Sequence, residues 1–151
     1  MASNPKIKYP QSFSKSITIN SRASEVWEAL TNTDLMMKWM AEEEINIFTD
    51  WSPGSSIVIR GNVHWVPFEN KGTVLRYESW KTLQYSHLSS LSKLSDEPKN
   101  YSLVEFALTP LEEQTNLVLT LANFPTESIY KHLVFYWSNT LGILKKFVEE
   151  R

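Results

Sequence analysis

The sequence predicts an α+β fold: a curved antiparallel sheet of six or seven strands, two short helices after the first strand, and a long C-terminal helix. Three observations carry this. Apolar residues alternate through "SFSKSITIN" (12–20) and again through a series of segments between 43 and 123, the period of a half-buried strand. Those segments are joined by short polar turns, and consecutive strands so joined pair antiparallel. From Glu127 to Glu149 there is no proline, and Ile129, Leu133, Tyr136, Trp137, Thr140, Leu141, Leu144, Phe147 and Val148 recur every three or four residues. Helices kept apart from a run of strands give an α+β arrangement.

Taken in order, the first strand shows Phe13, Lys15, Ile17 and Ile19 on alternate positions. Ser21 is placed to cap a helix through Ala23, Val26, Trp27 and Leu30, and Thr33 to cap a second through Leu35, Met36, Trp39 and Met40. Strands follow at 43–48, 55–61, 72–79 and 82–88, with Pro53-Gly54 suited to the centre of a type II turn. The segment "GNVHWVPFEN" reads as a hairpin loop, and the serine- and lysine-rich 89–100 as a long loop. Strands at 101–110 and 115–123 flank a turn at "LEEQ". The closing helix would be about 34 Å long at 1.5 Å per residue.

The chain has 151 residues, which suits one domain, here 12–150, preceded by a flexible lead-in at 1–11. It has no cysteine, so disulfides, thiolate catalysis and cysteine metal sites are excluded. The net charge is −2 with no basic block, which argues against nucleic acid as a partner. The N-terminus carries no apolar signal-like region, and no apolar run reaches the roughly 18 residues of a membrane span. A cytoplasmic location is therefore expected. Aromatic residues make up 13%, including six Trp, which favours deep clefts as well as cores.

In this order the segments resemble a family. "ITINSRASEVWEALTNTDLMMKWM" is similar to the opening of proteins like the activator of heat-shock protein 90 ATPase, within the START-like (SRPBCC, birch-allergen-like) helix-grip superfamily. The residues concerned are Ile17, Ile19, Val26-Trp27, Leu30, Thr33-Asp34 and Trp39. Pro53-Gly54, Gly72-Thr73-Val74-Leu75, Leu83, Thr115-Asn116-Leu117-Val118-Leu119, and Trp137 with Leu141 and Leu144 resemble its later motifs. Ser55 departs from a second glycine, and Ser21-Arg22 from the usual Ala-Pro. The resemblance covers about residues 12–150. It implies a sheet gripping the last helix around a hydrophobic cavity. It implies function less closely, because the superfamily includes lipid carriers, hormone receptors and polyketide cyclases, and fold does not fix function.

If the helix faces the sheet, alternation nominates a cavity lining of Leu75, Tyr77, Leu83, Tyr85, His87, Val104, Phe106 and Leu119 from the strands. Leu133, Trp137, Thr140, Leu141 and Leu144 face them from the helix, and Trp27, Met36, Trp39 and Met40 stand at the mouth or end. Ordinary core packing fits the same apolar residues. Tyr85 and His87 lie two apart on an apolar face and are the weak candidates for acid/base catalysis. His64 sits in the hairpin loop and His132 near the helix start. Neither a metal nor a cofactor is expected. Three functions follow, in order: a non-enzymatic module enclosing an apolar small molecule or lipid, a domain interacting with a heat-shock protein 90-type chaperone, and a polyketide cyclase-like enzyme.

Overall fold

The computed structural model describes residues 8–151. Its elements are β1 (Ser12–Ile19), α1 (Ala23–Thr31), α2 (Thr33–Trp39), β2 (Ile45–Phe48), β3 (Ser56–Val63), β4 (Val66–Glu78), β5 (Thr82–Ser89), β6 (Ser102–Leu111), β7 (Gln114–Ala122) and α3 (Glu127–Glu149). The seven strands form one sheet in the order β1-β7-β6-β5-β4-β3-β2, every neighbour antiparallel. Only the placement of β1 beside β7 departs from chain order. With α3 against this curved sheet, the architecture is the helix-grip arrangement.

Helix α3 forms because its apolar stripe has a sheet to lie on, since packing stabilises most helices more than propensity does. Leu133, Trp137, Thr140, Leu141, Leu144 and Val148 are buried along one side. Leu141 and Leu144 are fully buried, and each such side chain is worth roughly 1.5–3 kcal/mol of transfer free energy. The Thr126 hydroxyl caps the helix by accepting from the Ile129 N–H at 3.1 Å. Two indoles tie α1 and α2 to their surroundings. Trp39 Nε1 donates to the Ala29 carbonyl at 2.9 Å, and Trp51 Nε1 to the Thr31 carbonyl at 2.6 Å. The Tyr136 hydroxyl donates to the Met40 carbonyl and joins α3 to the end of α2.

Several local expectations are corrected. Ser21 does not cap α1; Arg22 occupies that position without a side-chain bond, and the Ser21 hydroxyl donates to the Glu25 carboxylate at 2.7 Å. The cap of α2 is Asn32, whose Oδ1 accepts from the Asp34 and Leu35 amides, so Thr33 lies inside the helix. "GNVHWVPFEN" is not a loop but the top of a long hairpin. Val63 pairs with Val66, and the two-residue turn His64-Trp65 takes φ values of 49° and 71°. That left-handed pair is a type I′ geometry normally built from Asn-Gly, so its residue signal is missing here. The loop 89–100 contains two single 3-10 turns, Ser90–Ser92 and Pro98–Asn100. Gly54, at φ 92°, fits the second central position of the expected type II turn. Of the lead-in 1–11, residues 1–7 lie outside the described residues; Tyr9 stacks on Tyr130 and donates to the Phe124 carbonyl at 3.2 Å.

Two glycines allow a direct test. A Cβ at Gly72 would lie 1.7 Å from the Ser86 carbonyl oxygen, whereas one at Gly142, exposed on α3, would meet nothing within 4 Å. In urea unfolding, Gly72→Ala is expected to lose at least about 2 kcal/mol or to fail to fold. Gly142→Ala is expected to gain about 0.5–1 kcal/mol. Equal effects at the two positions would contradict this packing.

Candidate functional site: a cavity between the last helix and the sheet

The inner face of the sheet divides into two halves. Toward β1, β7 and β6 it carries Leu117, Leu119, Leu121, Phe106 and Leu108, all buried under α1 and the C-terminal half of α3. Toward β2–β5 it is lined by smaller or polar residues. Cross-strand pairing aligns Ile45 with Gly61 and Phe68, then Ile47 with Ile59, Asn70 and Ser89. In this second half the first turns of α3 do not fill the space, and a cavity of about 390 Å³ remains. That is within the usual range for small-molecule sites.

Its apolar wall is Met40, Ile45, Ile59, Phe68, Val104, Tyr136 and Trp137. Trp137 closes its inner end, with its ring edge-on to Phe106 at 5.3 Å and tilted against Trp39 at 6.3 Å. The mouth is formed by Ala41, Glu42 and Glu43 after α2, Val63 and His64 from the hairpin, Leu91, and His132 on α3. A larger depression of about 570 Å³ lies on the outer face over β2–β4; it is open and polar, and its Arg60 is already paired with Glu69 at 2.8 Å.

The polar part of the wall is concentrated. Tyr85, His87 and Ser89 project from alternate positions of β5, and Asn70 stands opposite Ser89 on β4. Ser102, paired with His87 on β6, is 1% exposed. The Asn70 Oδ1 and Ser102 Oγ atoms are buried without a hydrogen-bond partner among the described residues. Buried polar atoms are nearly always paired, so the orphaned Asn70 Oδ1 on the cavity wall points to polar company within it; Ser102 does not line the cavity. Burial, reinforced by His132, pushes the His87 imidazole down to about 4, so it is neutral near pH 7. Burial pushes the Tyr85 hydroxyl up, helped by Tyr136, and lifts Tyr136 to about 12.

Of the residues nominated from the sequence, Tyr85, His87, Val104 and Trp137 meet at the cavity, and Met40 stands at its edge. Leu83, Phe106, Leu119, Leu133, Thr140, Leu141 and Leu144 are solid core instead, as are Trp27, Met36 and Trp39. Tyr77 faces inward at the far end of the sheet, wedged between Trp27 at 5.2 Å and Trp51 at 6.0 Å. Leu75 is a correction. The β4–β5 register slips between Val74 and Arg76, which turns Leu75 outward to 41% exposure and puts Val74 in the core. Such a bulge leaves no sequence mark here. Ile59, Phe68, Asn70 and Tyr136 were missed; the alternation of "SIVIRG" held the signal for Ile59, while Phe68 and Asn70 were hidden in the supposed loop.

His87 gives a pH prediction. Its pKa is lower in the folded chain than the ordinary 6.5, so the unfolded chain binds the extra proton first. Its contribution to stability is whole above about pH 6.5 and is lost as pH falls toward 4, with a slope of at most about 1.4 kcal/mol per unit. Stability of wild type relative to His87→Phe should therefore decline between pH 6.5 and 5, and the His87 ring resonances in NMR should not titrate above pH 5.5. A His87 midpoint near 6.5 would refute the buried, neutral ring.

None of the curated proteins matches this chain. Among solved structures, ChR145 from Cytophaga hutchinsonii is 35% identical, with 95% of this chain and 97% of that one aligned at a TM-score of 0.79. CalU16 from Micromonospora echinospora is 24% identical over 91% of this chain and 75% of that one, with a TM-score of 0.71. The Aha1 dimer from Colwellia psychrerythraea is 23% identical over 91% and 96%, with a TM-score of 0.73. The last two support the fold alone. The sequence profile described as "Activator of Hsp90 ATPase homolog 1-like protein" matches residues 20–149, which is most of the chain, and the chain belongs to that family.

Proposed function

We propose that this protein is a non-enzymatic binding domain that encloses an apolar small molecule between α3 and the sheet. The observation that carries this is the cavity of about 390 Å³, walled by Ile59, Phe68, Val104 and Trp137, in a molecule whose other half is solidly filled. Interiors ordinarily pack to crystal-like density, so a void of this size beside a filled core calls for an occupant. No helix among the described residues is long and apolar enough to cross a membrane, which fits a carrier or sensor better than a membrane-embedded role.

The same groups argue against acid/base catalysis. A tuned general base has a pKa near the working pH, and burial moves His87 the other way, down to about 4. Tyr85, pushed up by burial, is too weak an acid. Both remain good hydrogen-bonding groups.

A plug tests the binding reading. Ala41 is at the mouth, only partly buried, and packs against the edge of the core. Ala41→Trp should weaken binding of the neutral dye N-phenyl-1-naphthylamine at least about tenfold, measured by dye fluorescence, with the melting temperature nearly unchanged. Wild-type protein that leaves the dye dark, or a plug without effect, would remove the proposal.

A second reading, docking to a heat-shock protein 90-type chaperone, is suggested by the family's name and by one surface feature. Trp65, at the tip of the β3–β4 hairpin, is 95% exposed between exposed Val63 and Val66. On that reading the domain raises the chaperone's ATPase rate, and Trp65→Ala lowers its affinity at least about tenfold. An unchanged rate with wild-type domain would eliminate it.

A further inference from the structure

We propose that the cavity selects a neutral apolar molecule bearing a hydroxyl group, bound through Tyr85 and His87, and rejects carboxylates, fatty-acid anions included. This rests on the binding reading above and specifies its ligand.

The first argument is charge. No lysine or arginine lines the cavity, and its mouth carries the carboxylates of Glu42 and Glu43. A carboxylate entering would pass two like charges, lose its hydration and find no fixed cation inside to offset that loss. The histidines do not supply one. His64 and His132 are exposed at the rim, and His87 inside is neutral near pH 7.

The second argument is the hydrogen-bonding inventory of the wall. A neutral imidazole offers one donor and one acceptor, and a tyrosine hydroxyl offers both. Only burial and neighbouring charge act on Tyr85 and His87; no hydrogen bond among the described residues shifts either group. They lie two residues apart on the inner face of β5, and both line the cavity. The Asn70 amide and Ser89 share the wall with them. The remaining wall, from Ile45 to Trp137, is apolar and suits the ligand's body. A hydroxyl both gives and takes a hydrogen bond, which is what this pair requires; a hydrocarbon leaves both groups unpaired, and an anion satisfies only donors.

The test is a matched set of probes at pH 7.5 competing with N-phenyl-1-naphthylamine: naphthalene, 2-naphthol and 2-naphthoate. Wild type should bind 2-naphthol at least about tenfold more tightly than naphthalene, with 2-naphthoate weakest. Tyr85→Phe and His87→Phe should each bring the ratio of 2-naphthol to naphthalene affinity toward one. If either variant fails to fold, the wild-type ranking still decides. Naphthoate binding as tightly as naphthol, or naphthol and naphthalene within threefold, overturns the selectivity while the cavity reading stands. If the dye and all three probes fail to bind, the cavity reading fails and this inference falls with it.

Discussion

The packing of Trp137 divides this molecule. Its indole meets Phe106 edge-on from β6 and Trp39 from α2, so three elements converge on one side chain that is 4% exposed. Below it along α3, Leu141, Leu144 and Val148 lie directly on the sheet and on α1. Above it, the cavity lies beside the helix, and the Tyr136 hydroxyl donates to the Met40 carbonyl. Aromatic pairs of this kind contribute roughly 0.5–1.5 kcal/mol beyond the area they bury. A smaller residue at 137 would let the cavity run into the core, and a helix seated flat along its length would leave none.

The sheet is adapted to this division. On the filled side, β6 and β7 present leucine and phenylalanine at every inward position from Phe106 to Leu108 and from Leu117 to Leu121. On the hollow side the inward positions include Gly61, Asn70, Gly72, His87 and Ser89. Gly61 is pressed by Ile45 and Phe68, with a Cβ there only 2.8 Å from Ile45 Cγ2, so these rings and branches reach over the glycine toward the cavity. Gly72 lets β4 approach the Ser86 carbonyl more closely than any side chain permits.

Much of this was legible in the sequence. Alternation located the strands to within a few residues except at the start of β4, the 3.6-residue period of 127–149 gave α3, the order of elements gave the α+β class, and the family resemblance gave the helix-grip architecture. Of the site, Tyr85 and His87 were visible because polar residues on an apolar strand face are conspicuous. What stayed hidden has a common cause, namely backbone geometry that leaves no residue signature. A type I′ turn made by His64 and Trp65 instead of Asn-Gly concealed half of β4, and with it Phe68 and Asn70. The slip at Leu75 reversed the facing of one strand segment. The division between core and cavity was also unreadable, because leucines that touch a helix and leucines that face a void alternate in the same way; only the height of α3 above the sheet separates Leu119 from Val104.

An empty apolar void is costly, about 1 kcal/mol for every 40 Å³ by the measured trend, so a cavity this large would weigh heavily on a small domain if it were dry. The polar patch changes that balance. Asn70, Tyr85, His87 and Ser89 give water hydrogen-bonding partners inside, and hydrated cavities lack most of the penalty of dry ones. The same groups are then available to a ligand, which gains by replacing poorly held water along the apolar wall and by matching the hydrogen bonds at the polar end. On the binding role proposed above, one small set of side chains on β4 and β5 serves both water in the unoccupied hollow and a ligand in the occupied one. That is why the polar residues stand on the hollow half of the sheet, while the filled half, with nothing to accommodate, is almost wholly apolar.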